Sequence, residues 1–123
     1  MIEIRVHGVA DTEAELRSLL RWLKADDEIG PRVHGMLGSS APADPEHMGA
    51  LLDVISLTVG NGLAAAQFAL SIHQWRAARR APTGVVLRRG GVEIEVHGAD
   101  PAVLRGVTAL LAEEERAGDG GTA

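Results

Sequence analysis

The sequence predicts an α+β fold: a four-stranded mixed sheet, in the element order β-α-β-α-β-β-α, with three helices packed mostly on one face. Two observations predict it. Apolar and polar residues alternate over residues 2–7 and 92–96, which is typical of strands with one buried face, and apolar residues recur at helical spacing in the segments between them. The 123 residues are enough for one domain, which we place at 1–115, followed by a disordered tail at 116–123.

The first two elements have clear boundaries. Residues 2–7 form the first strand, and Asp11 or Thr12 then provides a helix N-cap. The helix should end near residue 25, because an acidic run follows and acidic residues are unfavourable at a helix C-terminus. Its apolar stripe is Leu16, Leu19, Leu20 and Leu23. Residues 32–37 predict a second, short strand.

The middle of the chain predicts a long apolar helix between about residues 46 and 80. Asp44-Pro45 is a typical helix start, and no proline follows until residue 82. Residues 48–72 contain a single formal charge, Asp53. Gly60-Asn61-Gly62 interrupts the segment, and we favour a kinked helix over a complete break there.

The last third predicts a β-hairpin and a helix. Residues 85–87 and 92–96 flank Gly90-Gly91, and paired glycines supply the positive φ that a tight hairpin turn requires. Asp100-Pro101 is again a typical helix start, and the helix that follows should end around Glu115.

Composition and charge exclude several classes of function. The chain has 17 acidic and 12 basic residues, a net charge of -5, two tryptophans, one phenylalanine and no tyrosine, so it lacks the basic field and the stacking surface of a nucleic-acid-binding protein. Without cysteine it has no disulfides and no thiolate metal ligands, and its first residues do not resemble a secretion signal. We therefore expect a cytoplasmic protein with no nucleic-acid partner.

Motifs for catalysis or cofactor binding are missing from the sequence. It contains no phosphate-binding loop, dinucleotide fingerprint, Gly-x-Ser-x-Gly elbow or His-Glu-x-x-His. The sequence therefore predicts no enzyme, no cofactor and no metal.

Two alternatives stay open. His7 and His97 end equivalent strands and, with His34, are candidate ligands of a metal-binding or enzymatic α+β protein. The apolar residues 48–72 resemble the span of a membrane-anchored subunit, although a membrane is an unlikely environment for Asp53, whose charge is costly in a bilayer.

The apolar middle segment is also the best candidate for a contact between chains. A helix that is apolar on all sides exceeds what one small sheet can cover, so its surplus surface should meet another protein or a second copy in a homo-oligomer, unless the sheet, both flanking helices and the helix's own alanine-lined kink bury it. Interface hot spots favour Trp and Arg. The predicted contact residues are Leu63, Leu70, Trp75 and Arg76.

Several short motifs together resemble a known family. The first strand reads Ile-Glu-Ile-Arg-Val, the first helix contains Glu-Leu-Arg-Ser-Leu-Leu-Arg-Trp-Leu, Pro-Arg-Val follows, and Met-Gly-Ala-Leu-Leu-Asp, Gly-Asn-Gly and Trp-Arg come later. Over about residues 1–112 this order is similar to the effector-associated constant component family, type one. The resemblance implies a non-enzymatic adaptor that associates with variable effectors, caspase-like or trypsin-like peptidases, in bacterial conflict or immunity systems.

Overall fold

The computed structural model describes residues 1–39, 52–60, 63–79, 83–96 and 101–120, with side chains in the last segment as far as residue 112. The elements in chain order are β1 (Ile2–His7), α1 (Thr12–Ala25), a short 3₁₀ turn (Gly30–Arg32), β2 (Val33–Gly38), β3 (Val54–Val59), α2 (Ala65–Ala77), β4 (Gly84–Arg89), β5 (Val92–Val96) and α3 (Pro101–Gly120).

The sheet has five strands in the order β2-β3-β1-β4-β5, and every neighbouring pair is antiparallel. The α+β class and the three helices are confirmed. The prediction of four strands in a mixed sheet is wrong, because β3 occupies residues that were assigned to a helix. With β3 present, each strand finds an antiparallel neighbour on at least one side.

The predicted long apolar helix does not exist. Residues 54–59 form β3, which pairs with β1 on one side and β2 on the other, and the helix α2 begins only at Ala65. The period of a short apolar run does not distinguish a buried strand from a buried helix. In this run the β-branched residues favour the strand. β3 thus ends at Val59 and α2 begins at Ala65; Asn61 and Gly62, where a kink was favoured over a break, and residues 40–51 lie outside the described residues.

One face of the sheet carries the core. Ile4 on β1 lies opposite Ile55 on β3 and Leu87 on β4, and all three are buried. The three helices pack on this face, with α2 between α1 and α3. The buried helical residues that join the same core are Leu16, Leu19 and Leu23 on α1, Phe68, Ala69, Ile72 and Trp75 on α2, and Val103, Val107, Leu110 and Leu111 on α3.

The other face of the sheet is polar, as the alternation in β1 predicts. Glu3 lies opposite Arg88, which in turn lies opposite Glu93 on β5. Arg5, on the same face, approaches Glu3 at 3.6 Å. Charges of both signs therefore stand side by side across the strands.

Other boundaries follow the sequence closely. Asp11 caps α1 by accepting a hydrogen bond from the Ala14 N–H at 3.1 Å, and the helix ends at Ala25 as predicted. The β4–β5 hairpin turns at Gly90, whose φ is +58°. Helix α3 continues to Gly120, beyond the predicted end at Glu115. The domain limits at 1–115 and the disordered tail at 116–123 stay predictions.

Candidate functional site

The seam between α1 and α2 is held by two tryptophans that exchange hydrogen bonds with two serines. Trp22 on α1 donates its Nε1–H to the Oγ and the carbonyl oxygen of Ser71 on α2, each at 3.0 Å. Trp75 on α2 donates in return to the Oγ of Ser18 on α1 at 3.2 Å. Residues 18 and 22, like 71 and 75, are one helical turn apart, so the antiparallel helices bring each serine opposite the other helix's tryptophan.

The two tryptophans differ in exposure. Trp75 is 2% exposed and belongs to the core, whereas Trp22 is 40% exposed at the surface of the helix layer. Leu70, the residue before Ser71, is also 40% exposed. Two large apolar side chains, one on each helix of the seam, are therefore exposed, and we call Trp22 and Leu70 the seam surface.

A polar cluster closes one end of the seam. The guanidinium of Arg79 pairs with the Glu15 carboxylate, donates to the Oγ of Ser18 at 3.2 Å and lies 4.9 Å from the centre of the Trp75 ring. These contacts tie the C-terminal end of α2 to the beginning of α1. The charges of Arg79 and Glu15 therefore compensate each other within the protein.

The four predicted contact residues do not share one surface. Leu63 and Trp75 are buried in the core, and Leu70 is exposed. Arg76 is half-buried, and its Nε–H donates to the carbonyl oxygen of Thr83 just before β4. Of the four, Leu70 alone presents a large apolar side chain to solvent.

Sequence reasoning missed Trp22 as a surface residue. The signal was present: the apolar stripe of α1 runs through Leu16, Leu19 and Leu23, and Trp22 lies about 100° from Leu23 around the helix. A large aromatic residue off the core stripe must either bury itself against a second helix or face solvent. Trp22 does both.

Asp26 completes the seam at the C-terminal end of α1. Burial alone would raise the pKa of Asp26, but the backbone N–H groups of Ile29 and Glu28, with the side chains of Gln67 and Ser71, donate to the carboxylate and hold its pKa below the usual value of 3.8. The two backbone bonds measure 3.1 and 2.9 Å. The carboxylate thus orders both the turn after α1 and the contact with α2.

The two described histidines of the alternative hypothesis, His7 and His34, do not lie together. His7 lies 3.0 Å from the Glu95 carboxylate, which it reaches by lying across Gly84, where a Cβ atom would be 2.0 Å from its Nε2. His34 is on the edge strand β2, at the opposite end of the sheet, and His97 lies outside the described residues. Across the described segments, no three His, Asp or Glu side chains form a group that could hold a metal.

A cavity of about 530 Å³ lies beside the loop between β1 and α1. Residues 8–11, Glu15, Ala78, Arg79 and Thr83 line it. Glu15 and Arg79 pair with each other, and the Asp11 carboxylate, which also lines the cavity, accepts a hydrogen bond from the Ala14 N–H as the N-cap of α1.

Comparison with known protein families identifies the chain. A family model, Effector Associated Constant Component 1, matches residues 8–112, which is most of the described fold from the end of β1 into α3. The chain belongs to this family. No curated protein and no solved structure matches it.

As a member of Effector Associated Constant Component 1, the protein is a constant component that associates with effectors. No helix in the described segments combines the length and the apolar character needed to cross a membrane. Residues 54–59 form β3 and α2 begins only at Ala65, so the apolar middle segment does not form one continuous helix.

Proposed function

We propose that the protein is a non-enzymatic cytoplasmic adaptor that binds a variable peptidase-type effector in a bacterial conflict or immunity system. The observation that carries this proposal is the family match over residues 8–112. The effector class follows from the resemblance of the sequence motifs to that family. The arrangement of the α1–α2 seam is what supports a particular binding surface.

The seam surface has the features of an interface anchor. Trp22 is rigid, because its Nε1–H is bonded to Ser71 on the neighbouring helix, so binding costs little side-chain entropy. Leu70, which precedes Ser71 on α2, adds an exposed aliphatic side chain. Tryptophan is among the residues that contribute most to binding energy in interfaces. We propose that the effector covers Trp22 and Leu70.

The other predicted contact residues act from inside the protein in this proposal. Trp75 and Leu63 support α2 from the core, and Arg76 joins the helix to the segment before β4 through Thr83. They set the position of α2, and hence of Leu70, without touching the partner.

The proposal predicts that Leu70→Glu disrupts the complex without unfolding the protein. Leu70 is at the surface, so the substitution should change the free energy of unfolding by less than about 1 kcal/mol. In the interface the same charge would be desolvated, which should weaken the complex by at least about tenfold. Co-purification with the candidate peptidase effector tests whether the complex forms. Calorimetry then measures the free energy of unfolding of the variant and its affinity for the effector.

Val92→Glu is the matched control, because Val92 is 41% exposed but lies on β5, at the far edge of the sheet. It should leave the complex intact. If Leu70→Glu and Val92→Glu bind the effector equally well, the seam surface is not the interface. If light scattering shows a dimer that Leu70→Glu dissociates while effector binding is unchanged, the surface serves a second copy instead.

A further inference from the structure

The free edge of the sheet has backbone groups available for another strand. Among the described residues, β2 lies at an edge of the sheet and pairs only with β3. The Gly60 N–H donates to the Arg32 carbonyl oxygen at 2.7 Å, so residue 32 and every second residue after it point their backbone groups toward β3. The N–H and C=O groups of Gly35 and Leu37 therefore point away from the sheet.

Helix α1 runs beside this edge and makes it a groove. Leu20 lies directly on Gly35, where a Cβ atom would be only 2.9 Å from the Leu20 Cδ1. The groove has a volume of about 290 Å³. We call it the edge groove, and it is lined by Arg17, Leu20, Arg21, Lys24 and Leu37.

The edge groove is basic although the chain as a whole carries a net charge of -5. Arg17 shares its charge with Glu13, one helical turn away, at 3.3 Å. Arg21 and Lys24 are exposed and have no acidic partner among the described residues. Two uncompensated cations beside unpaired strand groups favour a ligand that has both an extended backbone and acidic side chains.

The opposite side of the edge strand is partly apolar. Met36 is 64% exposed on the sheet face that carries no helix. A strand added beside β2 places alternate side chains on the two faces. Acidic residues would then face α1, and the residues between them would cover Met36.

We propose that the edge groove binds an extended acidic segment of a partner protein as a sixth strand, paired to the backbone of Gly35 and Leu37. Backbone hydrogen bonds supply the affinity, and Arg21 and Lys24 select acidic side chains. The occupant is a peptide segment with acidic residues at alternate positions. This site does not depend on the seam surface, which lies on the other flank of α1.

A labelled peptide of about six alternating glutamate and valine residues, the length of an ordinary strand, is the probe. Fluorescence anisotropy with the full chain should give saturable binding that weakens as salt is added. On binding, hydrogen exchange measured by NMR should slow at the Gly35 and Leu37 amides. It should not change at Met36, whose N–H already points toward β3.

Charge reversal separates recognition from folding. Arg21→Glu combined with Lys24→Glu should weaken peptide binding by about tenfold or more, because two attractions become repulsions. Arg105→Glu is the matched control, since Arg105 is an exposed arginine on α3, and it should bind as the wild type does. Leu70→Glu should also bind the peptide normally, so failure of the effector interface and failure of the edge groove are distinguishable.

Four results would overturn the inference. The first two are that a peptide with lysine in place of glutamate binds with the same affinity, or that Arg105→Glu weakens binding as much as the double charge reversal does. The third is that the peptide protects amides other than those of Gly35 and Leu37 from hydrogen exchange. The fourth is that the protein is a dimer without peptide and that the Gly35 and Leu37 amides are already protected in it. The last would mean that a second copy occupies the edge.

Discussion

The two flanks of α1 meet their neighbours in opposite ways. Toward α2, the polar groups of Ser18 and Trp22 are bonded across the seam, and little is left over for another molecule. Toward β2, Arg21 and Lys24 have no acidic partner in the described part of the chain. We therefore expect substitutions of the hydrogen-bonded groups on the α2 flank to cost stability, substitutions of exposed seam side chains such as Leu70 to cost effector binding, and substitutions on the β2 flank to cost peptide binding alone.

The largest expected effect is that of Trp75→Ala. Trp75 is 2% exposed, so the substitution leaves a large cavity between α2 and the sheet and should lower the free energy of unfolding by about 3–5 kcal/mol. Trp22→Ala removes the equivalent side chain from the other helix, but Trp22 is 40% exposed and should cost about 1–2 kcal/mol. Chemical denaturation measures both.

The order of these two effects is the test of the comparison. If Trp22→Ala destabilised the protein as much as Trp75→Ala, the seam surface would be core, and the proposal that Trp22 meets an effector would lose its basis. If Trp75→Ala weakened effector binding while leaving stability unchanged, the contact would include Trp75 directly.

The second prediction compares the two serines of the seam. Ser18→Ala leaves the buried Nε1–H of Trp75 without its acceptor and removes one acceptor of Arg79, which should cost about 1–3 kcal/mol. Ser71→Ala also removes the hydroxyl that donates to Asp26 at 3.5 Å, but it should cost less, about 0.5–1.5 kcal/mol, because the Ser71 carbonyl oxygen still accepts from Trp22 and the backbone N–H groups of Ile29 and Glu28 still donate to Asp26. Thermal unfolding of the two variants, measured side by side, checks the order. Equal losses would contradict it.

The fold was predictable from the sequence wherever local pattern and tertiary environment agree. The alternation in β1, the cap at Asp11 and the glycine turn of the hairpin are local signals, and each element lies where they predict. Residues 54–59 misled the prediction, because the β3 residues on the polar face of the sheet, Ser56 and Thr58, are uncharged and do not repeat the charged alternation of β1. Their β-branched residues carried the correct signal.

The candidate site was harder to predict, because it depends on how two helices meet. Leu70 and Trp75 are both apolar in the sequence, and only the packing of α2 between α1 and α3 makes one exposed and the other buried. The edge groove has the same origin. Arg21 and Lys24 look like an ordinary solvated helix surface until the sheet order places β2 beside them at an edge.

The smallest expected effect is the pH dependence of the stability that Asp26 contributes at the C-terminal end of α1, on the flank that faces α2. The pKa of Asp26 is lowered in the folded protein, so its charged form is the one that folding stabilises. This contribution is fully present above the unfolded pKa, near 3.8, and is lost as the pH falls through the lower folded pKa. Asp26→Asn should therefore lower the melting temperature slightly at neutral pH and lower it less, or not at all, at acidic pH below both values.

Asp27→Asn is the matched control for this experiment. Asp27 is the next residue along the chain and is exposed, and its side chain makes no hydrogen bond to any described residue, so its replacement should leave the slope of stability against pH unchanged. Melting temperatures of the wild type and the two variants, from neutral pH down to the most acidic pH at which the protein still folds, give the comparison, since the pKa of Asp26 is lowered in the folded protein. If both substitutions alter the slope equally, the general loss of negative charge explains the effect. If Asp26→Asn alone flattens the slope of stability against pH, the stability lost in acid comes from the hydrogen bonds that Ile29 and Glu28 donate to Asp26.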